Sequence, residues 1–483
     1  LIANNGTITM DAASMITSDT ITGAGTITID ATGFTGTKKV IDLAGTSSLE
    51  GKVTVKGEVI TAIYGEDGDV MLTDASTDTL YVNAAWADKK AGDGVEAGKV
   101  FGVNAFATSK AAYMAARNLG GEITIDLSAA GTETLDGTVG FGNAGKDGVY
   151  TITGGSVNTT SYGIYINNPM DITVKFDNAT FKLAKLYVES ANGELIVNNS
   201  VIGTAAYSGH NSGWVTALQG DIKITDSIFG MNFANYTEDE IKAMPRSASD
   251  VKAAVEDGTY KYWAFGSNNS GPHMGTADEI SVTDSTLSAT WISLIDRAEM
   301  NLNNSVLYYG AAISIGAGQV DSSLGQYDSN EIGWDAQIWW GNSPAASKDG
   351  FREGEVATLN ITDSIVRNIG SGNGNAGAHV QVGGSVTYGN TPVVGQDFAG
   401  VLNLKNSEFY ITPYDADGNA IAKEYDFMAV KDNGTVNVED SKLVTSKVIN
   451  EGVFTVSGES TLEITTATGN RIQIADGATL VNS

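Results

Sequence analysis

The sequence predicts an all-β fold, a right-handed parallel β-helix, and three observations predict it. The 483-residue chain holds 58 Gly against 6 Pro, with Thr, Ser, Asn, Asp and Val throughout, which describes short strands joined by tight turns. One eight-residue pattern recurs along it. Long helical periodicity is almost absent: one convincing helix stands near residue 110.

The pattern reads apolar, any, apolar, any, Asp or Asn or Gly, then Ser or a small residue, any, apolar. Close copies run Ile222 to Phe229, Ile280 to Leu287, Met300 to Leu307, Leu359 to Val366, Leu402 to Phe409 and Val436 to Leu443. Looser copies are Tyr150 to Val157, Val174 to Phe181 and Leu195 to Ile202. Alternation puts Ile224, Val282, Leu302, Ile361, Leu404 and Val438 on one buried face of a strand, so these six should form a single column. The Asx residues Asp226, Asp284, Asn304, Asp363, Asn406 and Asp440 then turn the corner, because Asx side chains tolerate left-handed backbone and bond their own main chain. Stacked, they should form a ladder along the coil axis. The closest copies stand roughly twenty residues apart, about one coil of a three-sided solenoid. Roughly fifteen to twenty such rungs at about 4.8 Å would make a rod of about 70 to 100 Å.

Longer gaps predict insertions at about 230–279 and 316–356. The first carries helical turns at Thr237 to Met244 and Ala248 to Val255, with acidic residues opening the earlier one. Thr412 to Asn419 predicts a projecting hairpin around its Asp-Gly step.

Residues Leu80 to Asn83 read as a strand, Phe106 to Leu119 as the helix, with Thr108 to cap it and Gly120-Gly121 to end it, and Glu122 to Leu127 as a returning strand. This opening resembles that of the pectin-lyase-like β-helix family, as found in giant tandem-repeat, autotransporter-like bacterial surface and adhesin proteins. Ser109 and the Tyr113-Met114 pair depart from the family's usual apolar pattern. The resemblance implies that the helix at 106–119 plugs the open end of a coil.

Residues 1–78 carry rungs of their own, Gly6 to Met10 and Gly25 to Ile29, then Val40 to Leu43 and Val53 to Val55. They share the form Gly, any, apolar, any, apolar with Gly434 to Val438 and Gly452 to Val456. The expected organisation is therefore a solenoid segment at 1–78, the tail of a preceding module or a connector, and a capped β-helix module at 79–483. Neither the first nor the last rungs bear the charge or proline that blocks strand addition, so like modules are the expected partners, head to tail.

A net charge of -29 repels phosphate backbones and argues against nucleic acid. No apolar run is long enough for a membrane-spanning helix. Zero Cys excludes disulfides and thiol catalysis, and with the acidic surface suits an extracellular or cell-surface structural protein. Enzymes of the resembled family gather acids on one face, whereas here Asp226, Asp284, Asp363 and Asp440 recur evenly at one turn position, so no catalytic residue is expected. His210, His273 and His379 stand apart in Gly-rich stretches.

The alternative function is a carbohydrate-active β-helix, a lyase, hydrolase or glycan-binding module. Its candidates are Trp334, Trp339, Trp340 and Trp263, beside Tyr260 and Tyr262, whose rings suit a glycan or a surface protein of a host or environment. The plainer expectation is a small loop core built from the same rings. Asp415, Asp417 and Asn419 place oxygens at alternate positions and Asp426 falls where a calcium loop puts its last ligand, but Lys423 and the Gly position break the loop pattern, so no cofactor is expected and calcium is the one candidate. Glu66-Asp67-Gly68-Asp69 poses the same choice between calcium and a plain turn.

Overall fold

The computed structural model describes the chain except residues 46, 48, 50, 58–60, 65–67, 75–76, 136–138, 142–145, 160–163, 167–170, 184, 189–192, 205–213, 218–220, 233–236, 261–272, 276–278, 295–297, 317–355, 370–379, 389–390, 414–425 and 466–470. The chain divides into two compact units, Leu1–Glu133 with Tyr150–Gly155, and Thr134–Val149 with Ser156–Ser483. Residues 1–78 and the helical segment thus share one unit.

The second unit is a parallel β-helix. Its first face stacks ten described strands from Ile172–Asp177 to Thr479–Asn482, and its second face ten from Ser156–Thr159 to Thr461–Ile464. The third face is made of shorter strands, among them Val380–Val382, Met428–Val430, Val448–Asn450 and Ile472–Ile474. On the first face the column is as the repeat demands: Ile224 pairs with Val282, then Leu302, Ile361, Leu404 and Val438 in succession. All six are buried. A slip of one residue in any coil would turn its apolar pair to solvent, so the alternation fixes the register.

The outward positions of that face also stack. Asn360 Nδ2 donates to Asn301 Oδ1 at 2.9 Å, Asn403 to Asn360 at 2.8 Å and Asn437 to Asn403 at 2.9 Å.

The insertion after Ile228–Asn232 contributes two helices that lie outside the coil, against the second face.

 

Those helices are Glu238–Lys242 and Ala248–Glu256, each opened by a capping box, Thr237 with Glu240 and Ser247 with Asp250. Ile241, Met244, Ala248 and Val251 pack on the outward residues Val201, Ile228, Val306, Tyr308 and Ile365 of the second face, forming a second core outside the coil. The hairpin Gly384–Tyr388 with Thr391–Lys405 is a further excursion that the repeat did not announce.

In the first unit, Thr7–Asp11, Thr26–Asp30 and Val53–Lys56 stack in parallel as rungs should, and Ile16–Ser18 pairs in parallel with Thr37–Leu43. The solenoid then gives way to antiparallel pairing, because Val70–Thr73 runs against both Thr37–Leu43 and Thr61–Tyr64. Asp69 fastens this return: its carboxylate accepts from Leu43 N at 2.7 Å and from Lys39 Nζ at 2.6 Å. The hydrogen bond to Asp69 raises the Lys39 pKa against the effect of burial.

The helix of this unit is Ser109–Leu119, shorter than the expected 106–119 because Ala105–Phe106 is drawn into a strand beside Thr79–Val82. Thr108 caps it through Ala111 N, and Gly120 ends it at φ 70°. Its buried side, Ala112, Tyr113 and Ala116, packs on Thr79–Val82, Ala105–Phe106 and Gly121–Asp126.

Candidate functional site

The feature that recurs with least variation in the second unit is the corner between the first and second faces. At eight corners the backbone enters the left-handed region on an Asx residue, from Asn178 to Asp440, with φ between 43° and 53°. Among the described residues no other non-glycine residue has positive φ. Asn and Asp bear that conformation at the lowest cost of any residue with a side chain, and their short polar groups bond across coils. Asn304 Nδ2 donates to Asp284 Oδ1 at 2.6 Å, and Asn199 to Asn178 and Asn406 to Asp363 in the same way. The six expected corner residues therefore hold one position, although the Asx hydrogen bonds join coils in pairs rather than in an unbroken ladder.

The unbroken ladder belongs to the residue after the Asx. Each serine hydroxyl donates to the carbonyl two residues before it, as Ser227 Oγ does to Thr225 O at 2.6 Å and Ser305 Oγ to Asn303 O at 2.7 Å. The same oxygen accepts the backbone N–H of the preceding coil's corner. Ser200 N donates to Ser227, Ser227 N to Ser285, Ser285 N to Ser305 and Ser305 N to Ser364, at 3.0 to 3.2 Å. The chain continues through Ser407 and Ser441 to Ser460, which follows Glu459 rather than an Asx and donates to the Ser457 carbonyl three residues before it. Ser227, Ser285, Ser305 and Ser364 are fully buried, so each hydroxyl supplies an acceptor that water cannot. The repeat marks this position as Ser or a small residue without naming its partner in the next coil.

The insertion is moored on the same corners. Arg246 donates to Asn199 Oδ1 at 2.6 Å and to the Asp226 carbonyl, while Ser249 N donates to Asn304 Oδ1 at 3.0 Å. Beside the second core, Tyr260 and Tyr308 share a hydroxyl contact at 3.0 Å. The Arg367 guanidinium lies 4.7 Å from the Tyr410 ring centre and 6.0 Å from that of Tyr260, and Lys442 Nζ lies 5.6 Å from Tyr410. Cations already engage these rings, and Tyr260 and Tyr410 pack against the second core.

Of the expected binding residues, Trp263, Trp334, Trp339 and Trp340 lie outside the described residues, as do Asp415, Asp417 and Asn419. Asp426 is described and fully buried. Its carbonyl accepts from Ser446 N at 2.8 Å and Thr445 Oγ1 at 3.2 Å. Burial, with the Asp426 charge adding to it, pushes the Tyr309 hydroxyl well above its ordinary pKa. Among the described residues no group of three or more His, Asp or Glu is placed to hold a metal ion. His210 and His379 are not among the described residues, and His273 lies in a third-face strand, His273–Gly275. No helix of the described residues is long and apolar enough to cross a membrane.

No protein-family model, no curated protein and no solved structure matches the chain.

Proposed function

We propose that the chain is a non-catalytic structural module of an extracellular bacterial fibre, stalk or adhesin, joined head to tail with like modules. The observation that carries this reading is the serine ladder with its eight left-handed Asx corners. Repetition that regular serves the coil itself: the repeated Asp226, Asp284, Asp363 and Asp440 each stand at a corner. A stacked coil resists extension because backbone bonds, side-chain ladders and the apolar column all join neighbouring coils and must be broken together.

Two measurements test this. Pulled from its ends in a single-molecule force experiment, the second unit should unravel in steps of about one coil at a time. Incubated with a panel of acidic and neutral polysaccharides, the protein should release no new reducing ends and no unsaturated products. Turnover of any polysaccharide would instead support the carbohydrate-active alternative, and extension without stepwise resistance would remove the mechanical role.

A further inference from the structure

In a solenoid each coil touches only the coils above and below it, so coils further apart are coupled only through those between. The insertion from Thr237 to Tyr260 departs from that rule. It lies along one register row of the second face, running from Ser156 through Val201 and Thr286 to Ile365, one residue from each of seven consecutive strands. At one end Ser156 Oγ donates to Glu238 Oε2 at 3.1 Å, and the Lys182 charge of the next strand acts on the same carboxylate. Val201, Ile228, Val306 and Ile365 pack with Ile241, Met244, Ala248 and Val251. Among them Thr286 Oγ1 lies 3.0 Å from the carbonyl oxygens of both Pro245 and Arg246.

The row itself is fitted to the insertion. Beyond Ile365 the same register position holds Glu408, Lys442 and Thr461, so its apolar stretch ends where the helices end. Neither helix is long enough to stand alone. They have five and nine residues, and isolated helices shorter than about 12 to 15 residues do not hold in water, so these form on the coil. Their contacts with the seven strands are therefore made and lost together.

We infer that the insertion is a splint, one element that fuses the seven coils from Ser156 to Ile365 into a single mechanical block. This rests on the structural-module reading and grades its resistance along the coil. When the chain is pulled, a coil inside the block leaves only as the helices detach. Detachment exposes Ile241, Met244, Ala248 and Val251 at once and breaks the bonds of Arg246 to Asn199 and to the Asp226 carbonyl. Water then meets Val201, Ile228, Val306 and Ile365 in the same event. Steps of about one coil belong to the coils outside the block, and the coils inside it leave in one larger step.

The test repeats the force experiment at constant force on the full chain, beside Ile241→Asp and Arg246→Ala. In the wild type one step should release the roughly 210 residues from Ser156 to Ile365, on the order of 700 Å of extended chain, against about 70 to 100 Å for a single coil. Ile241 is fully buried, so Ile241→Asp places a charge in the contact; the helices should stay off the coil and the large step should divide into one-coil steps. Arg246→Ala keeps the apolar contact and should retain the large step, with its rate at a given force raised on the order of fivefold. A wild type that gives one-coil steps throughout overturns the splint and leaves the module reading standing, as does a large step that survives both substitutions unaltered. Extension without any step overturns both.

Discussion

The corners of the second unit and those of the opening coils solve the same problem at different range. In the opening coils Asp11 Oδ1 accepts from Ser14 N and Oγ at 2.8 and 2.7 Å, within one turn and in solvent. That pairing holds the Asp11 carboxyl below its ordinary pKa. In the second unit the serine acceptor comes from the next coil, up to 59 residues away in sequence and buried. The Asp11 turn constrains only itself; Ile21 N does reach Ser47 Oγ at 3.0 Å and Asn4 Nδ2 reaches Thr26 O at 3.2 Å across these coils, but such bonds do not form a continuous run there, and the opening coils pass into antiparallel pairing within 70 residues. A corner satisfied by its neighbour holds two coils in register, and the second unit stays parallel along its first face to Thr479–Asn482. The regular part of the fold is the part where the inter-coil corner bonds run on without a break.

The largest expected effect separates glycines that stack from one that does not. Gly434→Ala forces a Cβ onto the Val382 carbonyl and should cost about 3 kcal/mol in urea unfolding, whereas Gly6→Ala should change stability by less than about 0.5 kcal/mol. Equal costs would mean that the coils are not packed so closely at that corner. Next comes Ser305→Ala, which leaves the buried Ser285 N–H without its acceptor and should cost about 2 kcal/mol. The exposed Ser14→Ala should cost less than about 0.5 kcal/mol, and a comparable loss would erase the contrast between the two kinds of corner.

The column and the left-handed corner were legible in the sequence because both are local: alternation sets the face of Ile224 and Val282, and Asx chemistry sets φ at Asp226 and Asp284. The serine ladder was not legible as a ladder, since the partner of Ser227 is Ser285 and nothing in either copy alone says they meet. A signal was present all the same. Aligned on their Asx residues, the copies place Asn301, Asn360, Asn403 and Asn437 at one outward position, and that alignment gives the asparagine ladder too. The two helical turns of the insertion were legible, with the acids that open the first, but its docking was not, because Val306 and Ile365 read as ordinary strand residues until helices cover them. The aromatic and calcium candidates rested on residues apart from the repeat, and of these Gly68, Asp69, Tyr260 and Asp426 fall among the described residues.

A third prediction concerns the corner backbone. Asp284 sits at φ 50°, so Asp284→Ala should cost about 1 to 2 kcal/mol and Asp284→Gly less. Thermal melts that place glycine below alanine would show that the left-handed turn is not what Asx provides.

The two units should also share one pH dependence. Burial raises the folded pKa of Tyr113 in the first unit and of Tyr309 in the second. A raised folded pKa means stability fully present below the unfolded value of about 10 and lost as pH rises beyond it, by up to about 1.4 kcal/mol per pH unit for each group. Absorbance at 295 nm should show Tyr113 and Tyr309 among the tyrosines that ionise only as the chain unfolds, and Tyr113→Phe and Tyr309→Phe should each remove one. Early ionisation of either would contradict its burial.

The most direct test of the inter-coil corner is amide hydrogen exchange in Ser305→Ala. Ser285 N donates to the deleted hydroxyl, while residue 305 keeps its own bond to Ser364 Oγ. Exchange at Ser285 should quicken on the order of ten- to a hundredfold, with the amide of residue 305 close to its wild-type rate. Uniform change at both amides, or none at Ser285, would contradict a ladder that joins coil to coil.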